Sequence, residues 1–189
     1  MMRIGIYCGS FSPVHRGHIC IAEECLEQKL VDEVMIIATG NYWNKNDLLP
    51  LEDRLNMLES VRTENILIDR KYNDFPYTYQ IFQQLKQDHP TDELVLIIGG
   101  DNLPGFDRWK EYRTLLEYDF IVIGRDEIDS DRIHELMKGY HKTNYEILDI
   151  GSIDISSTYI REHLDNYELI KDMIDPNVYT YLKKMSFKH

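Results

Sequence analysis

Two histidines near the start of the chain concentrate the residue types that could do chemistry. In IGIYCGSFSPVHRGH, His15 and His18 stand three apart, after a glycine- and serine-bearing turn and at the start of a helix that opens at about Gly17. That spacing lets both imidazoles face one ligand. Gly9 permits close backbone approach, and the N–H groups of the turn can point at phosphate oxygens as helix N-termini do. Imidazole donors placed there could stabilise charge that develops in a transition state. A second anion-binding segment lies far along the chain. SIDISSTYIREHL sets Ser156, Ser157 and Thr158 at a helix start, and Arg161 one turn later adds a fixed positive charge. A Ser-Ser-Thr cap by itself is ordinary; paired with the first segment it reads as half of a polyphosphate clamp.

Competing readings of these residues are weaker. A zinc site built from His15, His18 and Cys20 lacks a second ligand pair of suitable spacing. The segment is neither the dinucleotide fingerprint GxGxxG nor a P-loop with its Gly-Lys-Ser/Thr ending.

The elements that must position these groups follow from periodicity. Apolar, β-rich runs at Arg3–Cys8, Glu33–Thr39, Asn65–Ile68, Leu94–Gly99, Phe120–Gly124 and Tyr145–Ile150 predict six strands. Helical spacing falls between them, at Ile19–Lys29, Leu51–Val61, Tyr79–Gln87 and Arg132–Lys138, with further helices at Ser156–Leu164 and from Pro176 to about Lys184. Alternating strands and helices predict an α/β fold: a Rossmann-like, doubly wound parallel sheet with C-terminal helices, whose ligands bind where the strands end. The acidic run Asp126–Asp131 reads as a solvated loop, and Asp53, Arg54 and Glu59 read as the charged face of their helix.

The 189 residues suit one domain, 1–189, and 43% hydrophobic with 29% charged residues suits an ordinary globular chain. A net charge of -12 disfavours nucleic acid, so any phosphate site must be made locally cationic by a few placed side chains. The first strand starts at Arg3 and no apolar run approaches the roughly 18 residues of a membrane span, so neither a signal peptide nor a membrane partner is expected and the expected location is cytoplasmic. Cys8, Cys20 and Cys25 have no CxxC pairing and read as free thiols. No motif fixes the oligomeric state; a homo-oligomer is left open.

The two phosphate segments together resemble the signatures of the nucleotidyltransferase superfamily, Gly-x-Phe-x-Pro-x-His-x-Gly-His early and Ile-Ser-Ser-Thr-x-x-Arg late, with every fixed position present. Over nearly all 189 residues the chain is similar to the nicotinate or nicotinamide mononucleotide adenylyltransferases. The resemblance implies an ATP site at Gly9, Ser10, Phe11, His15, His18, Lys45, Gly99, Asp101, Ser156, Ser157, Thr158 and Arg161, with His15, His18 and Arg161 catalytic. It implies a mononucleotide site at Ser10, Phe11, Lys45, Thr78, Asp101, Trp109 and Arg125. In LIIGGDNLPGFDRWKEY, Gly100 replaces the family's usual alanine, Asp101 would hold the nucleotides and the Trp109 indole would stack on the pyridine ring. In DFPYTYQIFQQL, Pro76 replaces a serine beside Thr78, whose counterpart contacts the pyridine substituent through its backbone. A Pro-Pro-His-Lys loop of many bacterial members is missing; NYWNKNDLLPLEDRLNML stands there, and its Lys45 followed by Leu49-Pro50, Arg54 and Met57 is more similar to the version in nicotinamide-accepting and dual-specificity members, with Lys45 as candidate phosphate contact and Trp43 as either loop anchor or pocket wall. Arg125, leaving the strand FIVIG, resembles an arginine that approaches the mononucleotide phosphate. His89, His134, His141, His163 and His189 lie on polar stretches or the tail and read as surface groups.

The implied reaction is in-line attack of a mononucleotide phosphate on the α-phosphorus of ATP, giving an NAD-type dinucleotide and pyrophosphate with no covalent enzyme intermediate. Mg²⁺ would travel with the triphosphate, held mainly by phosphates and water, and no protein metal site is expected. Two alternatives remain: another transferase of the superfamily, such as a phosphopantetheine adenylyltransferase, which would have no need of the Asp101–Trp109 segment, and a nucleotide-binding regulator on an inactive scaffold.

Overall fold

The computed structural model describes residues 1–40, 48–124, 128–151 and 155–186. Six strands, β1 (Arg3–Gly9), β2 (Glu33–Ala38), β3 (Ile66–Ile68), β4 (Glu93–Gly99), β5 (Asp119–Gly124) and β6 (Tyr145–Asp149), form one sheet in the order β3-β2-β1-β4-β5-β6. Every pairing is parallel. The winding reverses between β1 and β4, so the crevice at which open α/β sheets take ligands lies over the ends of these two strands.

Strand alternation divides the core between two faces. Val34, Ile36, Val95, Ile97, Ile121 and Ile123 pack beneath α1 (Arg16–Glu27), α2 (Leu51–Glu59), α6 (Ser157–Glu162), α7 (Tyr167–Ile170) and α8 (Pro176–Ser186). Their neighbours Ile4, Ile6, Leu94, Leu96, Phe120 and Val122 face α3 (Thr78–Asp88), α4 (Tyr112–Leu115) and α5 (Ser130–Gly139). With both faces covered, the central strands can be apolar on every residue.

All six expected strands and all six expected helices are present, with ends shifted by a few residues. Three things differ. A 3₁₀ segment, Gly100–Arg108, and the short helices α4 and α7 occupy stretches without a long helical period. The acidic run does not stay a loop to its end: the Asp129 carboxylate caps α5 by accepting the Arg132 N–H at 2.9 Å, and Ser130 and Asp131 are its first helical residues. Arg54 is not part of a solvated face, because it is 0% exposed. The three cysteines are free, Cys25 buried and Cys8 and Cys20 half-buried.

Candidate active site

β1 delivers the first phosphate segment to the middle of the sheet edge. Gly9 is needed because a Cβ there would come within 3.0 Å of the Phe11 ring, which folds back under the turn. Phe11 is buried, takes a left-handed backbone conformation (φ 46°), and meets the His18 ring edge-on at 4.9 Å. His15 caps α1, and its N–H donates to His18 Nδ1 at 3.2 Å while the two rings stack at 3.6 Å. An Nδ1 that accepts leaves the proton of the neutral imidazole on Nε2, so His18 is held in a donating tautomer.

The structure places the two histidines differently. His18 lines a cleft of about 200 Å³ over the ends of β1 and β4, together with Gly9, Gly99, Thr78, Asp101 and Trp109. His15, 6% exposed, sits behind His18 and lines a second hollow of about 350 Å³ with Arg16, Glu23 and Asp175. Its first contribution is therefore to brace His18.

The second segment is bonded to the first across the sequence. Ser157 Oγ donates to the Pro13 carbonyl at 2.8 Å, and the Arg161 guanidinium donates to the Ser12 carbonyl. Ser156 caps α6 by accepting the Tyr159 N–H at 3.1 Å, and Arg161 also reaches Thr158 Oγ1 at 3.4 Å. Ser156 and Thr158 are exposed beside this junction. Hydroxyls, helix-start N–H groups and an arginine thus meet the glycine turn at one place, as an anion site requires.

The remaining walls come from β4 and α3. Gly99 ends β4 and exposed Asp101 follows in the 3₁₀ segment; Gly100 between them leaves room where a Cβ would press to 3.1 Å from the Ile123 carbonyl. Trp109, half-buried, ends that segment with its ring 5.2 Å from Phe106, which supports it from the core. Thr78 opens α3, and among the described residues the Thr78 and Tyr79 N–H groups make no hydrogen bond, as expected of a helix start. Cys8 also lines the cleft; burial, and then the charge of Asp69, push its thiol up to about 12, so it is a neutral group and no activated nucleophile.

Of the sequence-derived candidates, Gly9, Phe11, His18, Thr78, Gly99, Asp101 and Trp109 line one cleft. Ser10 lies in the turn, and Ser156, Ser157, Thr158 and Arg161 adjoin it through the bonds to Ser12 and Pro13. Lys45, Trp43, Arg125 and His189 lie outside the described residues.

The residue that the sequence reading misplaced is Arg54. Its Nη1 donates to the Ser10 carbonyl at 2.7 Å and the Thr39 carbonyl at 2.8 Å, and its Nε donates to the Leu49 carbonyl at 2.9 Å. The signal was available. Leu51, Arg54, Leu55 and Leu58 fall at i, i+3, i+4 and i+7, which puts the arginine on the apolar stripe of α2.

The sequence model of the cytidylyltransferase-like family matches residues 6–163. A protein named "Probable nicotinate-nucleotide adenylyltransferase" from Flavobacterium psychrophilum is 31% identical, with 98% of each chain covered. One of the same name from Clostridium acetobutylicum is 29% identical over 97% of this chain and 98% of its own. The chain belongs to the nicotinate-nucleotide adenylyltransferase family. The fold agrees: Plasmodium falciparum nicotinic acid mononucleotide adenylyltransferase in complex with NaAD superposes with a TM-score of 0.82 over 98% of this chain and 96% of that one, at 22% identity. Family membership makes this chain an adenylyltransferase.

Proposed function

We propose that this chain transfers the adenylyl group of ATP to the phosphate of nicotinate mononucleotide. An oxygen of the mononucleotide phosphate attacks the α-phosphorus in line. A new P–O–P linkage forms, the bond from the α-phosphorus to the oxygen bridging to the β-phosphate breaks, and pyrophosphate leaves with that oxygen. The observation that carries this reading is the junction of two phosphate-binding segments, bonded through Ser157 to Pro13 and Arg161 to Ser12, beside a cleft that also presents His18, Asp101 and Trp109.

His18, donating from Nε2, stabilises charge on the phosphate oxygens during transfer, and His15 keeps its ring in place. Arg161 and the start of α6 hold the triphosphate; Trp109 provides a flat face for the pyridine ring. Mg²⁺ would be bound chiefly through the phosphates, with Asp101 the carboxylate that the described residues of the cleft offer beside it. When bound with ATP, the ion supplies charge neutralisation.

The acid form of the acceptor is favoured by α3. Its first turn contains no acidic residue, and among the described residues the N–H of Thr78, which lines the cleft, makes no hydrogen bond, an environment that attracts a carboxylate more than an amide. Pyrophosphate release measured with Mg-ATP and nicotinate mononucleotide, nicotinamide mononucleotide or phosphopantetheine tests the whole reading. We expect kcat/KM for the nicotinate substrate to exceed that for nicotinamide by about tenfold, the worth of one charge at a helix start. Equal values would remove the acid preference. Turnover with phosphopantetheine alone would reassign the acceptor, and none with any of the three would leave a nucleotide-binding regulator.

A further inference from the structure

Arg54 projects from α2 into the interior, fully buried, and among the described residues its guanidinium reaches backbone carbonyls of three different segments. Ser10 follows β1 in the glycine turn, Thr39 follows β2, and Leu49 lies just before α2. The same three segments are also bonded to each other. Thr39 donates its N–H to the Gly9 carbonyl at 2.9 Å, and the Leu49 N–H donates to Ser12 Oγ at 2.9 Å. Leu49 is therefore held at its N–H by the turn and at its carbonyl by the arginine.

The turn that Arg54 grips, Gly9–Pro13, runs directly into His15 and α1, and its Ser12 and Pro13 carbonyls are the ones bonded by Arg161 and Ser157. An error in the turn would thus be passed to His18 and to the α6 junction together. Arginine suits this task for a geometric reason: its donors are fixed in one plane and point in several directions at once. A lysine ammonium is a single point and cannot meet carbonyls that approach both Nε and Nη1.

We propose that Arg54 is a positioning residue for adenylyl transfer, its guanidinium setting the Ser10 carbonyl, and with it the phosphate turn, at the spacing the triphosphate requires. This rests on the ATP-binding part of the reading above. Group transfer is sensitive to such placement, since a shift of about 1 Å can cost on the order of 10²-fold in rate.

The test uses Arg54→Lys in the full chain, with Ser12→Ala as a second variant that loosens the same strap at Leu49 without touching the arginine. Folding is checked by circular dichroism and a thermal midpoint well above the assay temperature. ATP affinity is measured by calorimetry, which needs no acceptor, and pyrophosphate release gives kcat and KM. For Arg54→Lys we expect kcat/KM for ATP to fall on the order of 10²-fold, with KM and the ATP dissociation constant both rising at least about fivefold. For Ser12→Ala the shift has the same direction and is smaller. A residue that serves stability alone would lower the rate in step with the folded fraction and leave KM and the dissociation constant unchanged; that result would overturn the proposal. If Arg54→Lys does not fold, unchanged ATP affinity in folded Ser12→Ala overturns it equally. Should the unaltered chain bind ATP yet turn over none of the acceptors, the functional reading fails while the calorimetric comparison still decides the role of Arg54; if it binds no ATP, both fall.

Discussion

His18 is held from two sides, by the stacked His15 ring and by the edge of Phe11, and its Nδ1 is occupied by the His15 N–H. Little rotational freedom remains, so its donor is in position before substrate arrives, which is the condition for effective electrostatic stabilisation. Replacing His18 with alanine should lower kcat by about 10²- to 10³-fold, comparable to loss of an oxyanion donor. Steady-state rates on the folded variant check this, and unchanged turnover would remove His18 from the chemistry. At this scale the sequence was most legible where residue type is tied to a rare motif: Gly9, His18, Asp101 and Trp109, singled out from separate segments, line one cleft. It was misleading where two residues share a type but differ in surroundings. His15 and His18 look equivalent at a spacing of three, yet only the fold shows that one stands behind the other. Arg54 has charged neighbours in sequence and carbonyl neighbours in space.

Elements with a strong period were readable and those without one were not. Strands buried on both faces announce themselves as continuous apolar runs, and α1, α2, α3, α5 and α8 have enough turns to show an apolar stripe. The 3₁₀ segment Gly100–Arg108 contains Pro104 and two glycines, which mask any helical signal, although it is the element that carries Asp101 and presents Trp109. Phe106, fully buried within it, anchors Trp109 from one side and meets Phe120 and Tyr140 on the others. Trp109→Ala should leave this anchor intact and raise KM for the mononucleotide by about tenfold with a smaller change in kcat, because stacking on an aromatic face is made in ground and transition states alike. Substrate titrations distinguish this from a rise in the KM for ATP alone, which would contradict the stacking role.

At the scale of the whole molecule, the acidic chain solves its phosphate problem locally. A net charge of -12 opposes a triphosphate from a distance, and in the function proposed above the described residues answer it with Arg161, helix starts and the His18 imidazole, gathered where the winding of the sheet reverses. The core that supports this point is divided by the sheet, and Phe106 lies at the centre of the aromatic packing on one side. Phe106→Ala should cost about 3–5 kcal/mol through lost burial and a residual cavity. For a chain of this size that lowers the thermal midpoint by roughly 10 °C, measurable by calorimetry. A shift of only a degree or two would show that the 3₁₀ segment is not an integral part of the core. The strand order could be anticipated as doubly wound, but its pairing could not: β1 lies between β2 and β4 because the crossover turns back after β3, and no local pattern in the sequence records that turn.

The bonds from Ser157 to Pro13 and from Arg161 to Ser12 span 144 and 149 residues. During synthesis, then, the glycine turn leaves the ribosome on the order of ten seconds before the groups that will fix it. Its neighbour strand β4 must also be made before β1 is enclosed on both sides. The part of the chain that is translated first is in this sense finished last: the glycine turn can be gripped early by Arg54 and Leu49, but it gains its bonds to α6 only when nearly the whole chain has been made.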